Sequence, residues 1–182
     1  MLLALKGTMQ YREEIVKAMR LLNEESNTLF LGQSVEYPGN LLFNTLEDAG
    51  VSMDKRIEMP VAEDMQMGIS IGLSLRGYLP ISIYPRMDFL IIAMNQLVNH
   101  LDKMEEYSHG EYSPKVIIRA AVASKWPLYP GPQHHQDYTT ALGYMLKNIN
   151  IVKPRTKDIA LAYKNALLDK RSTILVEEVD FY

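Results

Sequence analysis

An acidic pair, Glu63–Asp64, stands inside the stretch EMPVAEDMQMG (58–68) and opens directly onto the apolar run ISIGLSLRGYLPISIY. Acids at the mouth of so apolar a segment have two readings. In one they are first-turn acids that complement the dipole of a helix starting just after Pro60. Asp64 suits that role best, as the solvent-facing neighbour. In the other, Glu63 is a buried carboxylate at a strand end, placed to hold a polar atom of a ligand. Phe89, in IYPRMDFLIIAMNQ, is either a core aromatic or an aromatic face offered to a flat ring, with Asp88 as an N-cap or first-turn residue. His134 and His135, in PQHHQD, are either solvated loop histidines or the source of one proton donor or acceptor working near neutral pH. Adjacent histidines do not easily share one metal, and no H-x-x-x-H or carboxylate partner is spaced for zinc. The loop GQSVEYPGN, which carries Gln33, is not a phosphate loop: both G-x-x-x-x-G-K-[ST] and G-x-G-x-x-G are missing. There is no G-x-S-x-G nucleophile motif either.

Alternating strand-like and helical patterns must position these residues. TLFLG (28–32), RIEM, GYLPISIY, KVIIRAAV, INIVKP and STILVEEV read as strands, mostly near-continuous apolar runs. Between them lie helical patterns: Tyr11, Ile15, Met19 and Leu22 on one face of the first, NLLFNTLEDAG ending near Gly50, the segment after Pro60, and a long helix from Asp88 to Tyr107. That long helix places Leu90, Ala93, Leu97 and Leu101 on one face, and its apolar first half is expected to be buried nearly all round. Two further helices, YTTALGYMLKN and TKDIALAYKNALLDK, complete the alternation. The pattern predicts an α/β fold with three layers, α/β/α, around a mostly parallel sheet. Ligands of such sheets sit at the carboxyl ends of the strands. The loops there follow Gly32, Met59, Tyr84, Val122 and Lys153, and the first four carry the unusual residues. Gly68 and Gly72, four apart in a helix, suggest close approach of another backbone, within the domain or across an interface.

Composition narrows the function classes. The 182 residues suit a single domain, and 47% apolar content is enough for a real core. A net charge of −3 argues against a nucleic-acid surface, and the absence of cysteine excludes disulfides and Cys-based zinc sites. No run approaches the roughly 18 apolar residues of a membrane span. A soluble, cytoplasmic protein without membrane or nucleic-acid partners is the expectation.

Taken together, the unusual stretches resemble one family. The order GQSV, EMPVAEDMQMGISIG, LPISIY, DFLIIAMNQLVNHLDK, KVIIR and PQHHQ is similar to the pyrimidine-binding module of thiamine-diphosphate enzymes. It looks closest to the N-terminal part of the beta subunit of 2-oxo acid dehydrogenases of the pyruvate and branched-chain types. Those run G-E-x-V, T-P-[ILV]-x-E-x-G-x-x-G-x-[AG]-x-G, an aromatic before D-Q, V-I-R, and Q-H-S-Q. The resemblance implies a thiamine-diphosphate-binding fold and roles residue by residue. Glu63 matches the glutamate that hydrogen-bonds the aminopyrimidine ring and favours its imino form. Phe89 matches the aromatic that stacks on the pyrimidine, and Val61 an apolar residue lining the ring. His134 matches the histidine facing the substrate. Gln33, counted among the cofactor-binding positions, stands where the family usually has Glu. Met65 replaces a Gly, and AAVASKWPLYPG replaces a Gly-rich loop.

The same resemblance implies a partner. Nothing in the chain matches the G-D-G-x(~25)-N motif that holds magnesium and diphosphate, so Mg2+ is expected on a separate diphosphate-binding subunit. Residues 1–182 are then a single pyrimidine-binding domain without the C-terminal transketolase-type domain, in a homodimer or heterotetramer. The Gly68/Gly72 helix is the candidate contact with a neighbouring subunit. The implied activity, in the complex and not in this chain alone, is thiamine-diphosphate-dependent decarboxylation of a small 2-oxo acid. The alternatives are a transketolase or deoxyxylulose-phosphate synthase fragment, or a non-catalytic assembly or regulatory subunit. A sugar-phosphate substrate would favour basic loops, and Arg86, Arg119 and Lys125 are the residues available.

Overall fold

The computed structural model describes residues 2–123 and 129–182. Six strands form one sheet: β1 (Thr28–Gly32), β2 (Arg56–Glu58), β3 (Leu79–Tyr84), β4 (Ile117–Val122), β5 (Asn150–Val152) and β6 (Thr173–Glu178). Their spatial order is β2-β1-β3-β4-β6-β5, and every pairing is parallel. All residues of β3 and β4 are buried, which is why these strands read as unbroken apolar runs rather than alternating ones.

Helices cover both faces. On one, α1 (Leu2–Glu24), α2 (Leu41–Ala49) and α7 (Ile159–Leu168) pack Tyr11, Ile15, Met19, Leu46 and Tyr163 against Phe30, Ile81, Ile117 and Leu175. On the other lie α3 (Glu63–Leu75), α4 (Met87–Leu90) and α6 (Thr139–Met145). They pack Met67, Ile71, Leu90 and Leu142 against Tyr84, Ile118 and Ile174. The three-layer α/β/α reading of the sequence is met. The apolar faces predicted for the first helix and for Leu90, Ala93, Leu97 and Leu101 are buried as expected.

The boundaries of α2 follow local chemistry. Asn40 caps it, its side chain accepting the Phe43 N–H at 3.0 Å. Gly50 ends it in the left-handed region, at φ 69°.

The long helix differs from the expectation. It is broken into α4, a 3-10 turn at Ile91–Ala93, a π-type stretch at Asn95–Leu101, and α5 (Met104–Tyr107). Its first half is not buried all round, since Ile91 is 42% and Ile92 57% exposed. One stripe seats on the sheet layer, and the opposite side stays partly exposed.

The winding reverses between β1 and β3: β1 leads outward to β2, and β3 leads the other way to β4. That reversal opens the crevice where ligands of such sheets sit. The two strands approach closely at its floor. A Cβ on Gly32 would lie 2.5 Å from the Ile83 carbonyl oxygen, so only glycine fits there.

Candidate active site

Glu63 is the first residue of α3 and lies just past the carboxyl end of β2. It is 3% exposed, in a helix whose N-cap, Ala62, offers no side-chain bond. Burying a carboxylate is costly unless it is hydrogen-bonded. Gln33, directly after β1, supplies a bond: its Nε2 donates to Glu63 Oε1 at 3.0 Å. The main chain of Glu63 is tied to the sheet by Tyr84, whose hydroxyl donates to its carbonyl at 3.4 Å. Burial, with the nearby Glu63 charge adding to it, pushes the Tyr84 hydroxyl well above its ordinary value. It therefore remains a protonated donor.

Asp64 is not simply turned to solvent as the sequence suggested. It is half-buried, and Gln96 Nε2 donates to its Oδ2 at 3.4 Å. One helical step on, Gln66 is almost wholly buried. Its Nε2 donates to Ser82 Oγ at 3.1 Å and to the Ile83 carbonyl at 3.0 Å. Gln66 thus clamps the first turn of α3 onto the end of β3, beside the Gly32 contact.

A second pair of the singled-out residues also meets. The Phe89 and His134 rings lie edge to face, with centroids 5.4 Å apart and planes at 84°. The histidine loop is tethered on both sides. The Gln136 N–H donates to Asp88 Oδ2 at 3.3 Å, and Lys153 pairs with Asp137 and Glu178, each at 3.0 Å. His135 points elsewhere, with Nδ1 2.7 Å from the Gly131 carbonyl.

Val61 is 81% exposed on the surface. The close backbone approach suggested by Gly68 and Gly72 does not occur within the described residues. A Cβ on Gly68 would make ordinary contact with Gln96, and one on Gly72 would meet open space.

The candidate basic residues do not form a cluster. Arg119 is fully buried and bonded to Glu177, at 2.9 Å from Nε and 3.0 Å from Nη2. Burial opposes the Arg119 charge, but the Glu177 carboxylate more than offsets this and keeps the guanidinium protonated. Arg86 is half-buried and donates to the Pro85 carbonyl at 2.8 Å. Lys125 lies outside the described residues, as does residues 124–128 of the altered loop.

Sequence reasoning missed Glu58 and Tyr84, which hold the site from behind. Both end strands at the carboxyl edge, and that position was their only signal.

Two similar sequences and one solved structure can be set beside this geometry. A 3-methyl-2-oxobutanoate dehydrogenase subunit beta from Mycobacterium tuberculosis is 28% identical over 137 residues, covering 72% of this chain and 37% of its own length. A pyruvate dehydrogenase E1 component subunit beta from Cyanidium caldarium is 27% identical over 167 residues, covering 88% and 49%. A solved structure described as a split-gene transketolase, an inactive beta4 tetramer, superposes with a TM-score of 0.69 at 19% identity, covering 93% of this chain and 51% of that one. This chain has the transketolase-like fold and is related to the beta subunits of 2-oxo acid dehydrogenases. No family model matches it. It spans about half the length, or less, of these curated relatives. Among the described residues no helix is long and apolar enough to cross a membrane.

Proposed function

We propose that this chain is the pyrimidine-binding domain, residues 1–182, of a thiamine-diphosphate enzyme of the 2-oxo acid dehydrogenase type, working with a diphosphate-binding partner subunit. The observation that carries the reading is Glu63: a buried carboxylate beside the reversal point of a parallel sheet, held by the Gln33 amide at 3.0 Å. Thiamine diphosphate, when bound, supplies a ring carbon that is deprotonated and adds to a substrate carbonyl.

The residues present fit the pyrimidine end of that cofactor. Glu63 offers a carboxyl group to a ring nitrogen, and its low-dielectric surroundings strengthen that bond. Gln33 keeps the carboxyl from turning away. Phe89 offers an aromatic surface to the ring, and His134, packed on Phe89, is the group placed to meet the substrate. Val61, exposed two residues before Glu63, is the apolar side chain proposed to line the ring. Magnesium and the diphosphate are assigned to the partner, because nothing in this chain matches the G-D-G-x(~25)-N motif.

The exposed side of α3 and the following irregular helix is the proposed subunit contact. Met65, Ile69, Ile91 and Ile92 are 38–57% exposed there, next to the open Gly72. Ile69→Glu should lower the sedimentation coefficient of the assembly, and an unchanged value would move the contact elsewhere.

A sugar-phosphate substrate, as for a transketolase, is the weaker reading, because Arg119 is consumed by Glu177. The decisive experiment is Glu63→Gln in the complex reconstituted with a diphosphate-binding subunit. Turnover should fall by about 10²–10⁴. Full activity in that variant would overturn the assignment. Thiamine-diphosphate titration with and without the partner separates this reading from a non-catalytic subunit, which would bind no cofactor in either case.

A further inference from the structure

The turn that follows Gln33 is held by a residue twenty-five positions beyond it in the chain. Glu58, the last residue of β2, turns its carboxylate back into the loop that follows β1. Three successive backbone N–H groups converge on it: Ser34 on Oε1 at 2.6 Å, and Val35 and Glu36 on Oε2 at 2.8 and 2.9 Å. A run of backbone amides curled around an anion is a nest, and here the anion belongs to the chain itself. The curl has a conformational cost. Ser34 sits at φ 54°, the left-handed region that a non-glycine residue adopts only when its surroundings hold it there.

The turn is fastened from other sides as well. Glu36 Oε1 accepts the Glu58 N–H at 3.0 Å, and the buried Arg56 donates to the Val35 carbonyl at 3.1 Å. The side chain that leaves just before this turn is Gln33, the donor to Glu63.

We propose that Glu58 is a positioning residue: by filling the nest at Ser34–Glu36 it sets the direction in which Gln33 reaches Glu63. Its importance to the reaction rests on the reading of Glu63 given above, but its action on Gln33 does not. Charge-assisted bonds of this kind are about twice as strong as neutral ones, and three on one carboxylate fix its place. In Glu58→Gln the Nε2 group cannot accept, so at least one amide loses its partner and the left-handed turn relaxes.

The test needs no cofactor. The Gln33 side-chain amide is followed by NMR in the full chain, assigned by its loss in Gln33→Ala. In Glu58→Gln its resonance should move toward that of a free glutamine, with solvent exchange about tenfold faster, as for the loss of one hydrogen bond to a charged group. The Gln66 side-chain amide, which Glu58 does not touch, should stay in place and serves as the control for the fold. Should Gln66 also collapse, Glu58→Asp gives the same readout with the charge kept and the reach shortened. A Gln33 amide that stays in place while the Ser34–Glu36 backbone amides shift would overturn the proposal. Glu58 would then shape the turn without aiming the side chain. If Glu63→Gln retained full turnover, the functional reading would fail while the Gln33 result stood on its own.

Discussion

Two buried glutamates, Glu63 and Glu177, lie near the carboxyl end of the same sheet and are treated in opposite ways. Glu177, on β6 under α1 and α7, is fully buried and saturated. Arg119 donates to both its oxygens, and the hydroxyls of Tyr163 and Tyr182 bond to it as well. Glu63 is almost as buried but is met by an amide, Gln33, rather than by a cation. A carboxylate that only needs to be buried is surrounded with donors until its lone pairs are used. Among the described residues Glu63 receives no second side-chain donor, which leaves hydrogen-bonding capacity that a group outside the chain could use. On the proposed reading, this contrast separates a structural acid from a functional one where burial alone does not.

Breaking the saturated side should have the largest effect on stability. Glu177→Ala strands Arg119 as an uncompensated buried cation. Denaturant unfolding should show a loss of about 3–5 kcal/mol. The same experiment on Glu63→Gln should show a change of no more than about 1 kcal/mol, because the amide oxygen that replaces the carboxylate still accepts from Gln33 and no buried charge is left behind. A loss as large as that for Glu177→Ala would erase the distinction between the two acids and make Glu63 a structural residue.

Alkaline pH gives a smaller and graded test. Burial is the main cause that raises Tyr11 and Tyr163 beside Glu177, and Tyr84 beside Glu63, with the nearby carboxylate adding to it. Each has a folded-state value above its unfolded one. Their contribution to stability is therefore complete below about pH 10 and is lost as the pH rises toward the folded-state values, at up to ~1.4 kcal/mol per pH unit for each group. Tyr163→Phe should remove one such increment from the slope above pH 10. A slope unchanged from the parent chain would mean that Tyr163 is not held protonated by its surroundings.

Much of the fold was legible because the signals were local or periodic. The apolar strands, the helix faces at Tyr11–Leu22 and Leu90–Leu101, and the stop at Gly50 each follow from short-range sterics and burial. Glu63, Phe89 and His134 stood out by type, order and spacing. Harder to see were contacts made between distant positions. Glu58 reads as an unremarkable strand-end acid, yet it holds amides 22–24 residues away. Arg119 reads as a candidate for an anionic substrate, and its pairing with Glu177, 58 residues on, removes it. Ile91 and Ile92 read as core, but helix geometry turned them outward.

What the sequence determined by itself was therefore the menu: an alternating α/β chain, which residues prefer the interior, and which side chains are able to do acid–base or ring-binding chemistry. Those choices depend on residue type and on periods of a few residues. Only the tertiary structure decided which acid is saturated with donors and which is met by a single amide among the described residues, and which glutamine faces which carboxylate. Hydrogen bonds and ion pairs form between groups brought within about 3 Å. Here it is the parallel pairing of β1 with β2, with Gly32 opposite Glu58, that brings residues 33, 58 and 63 together.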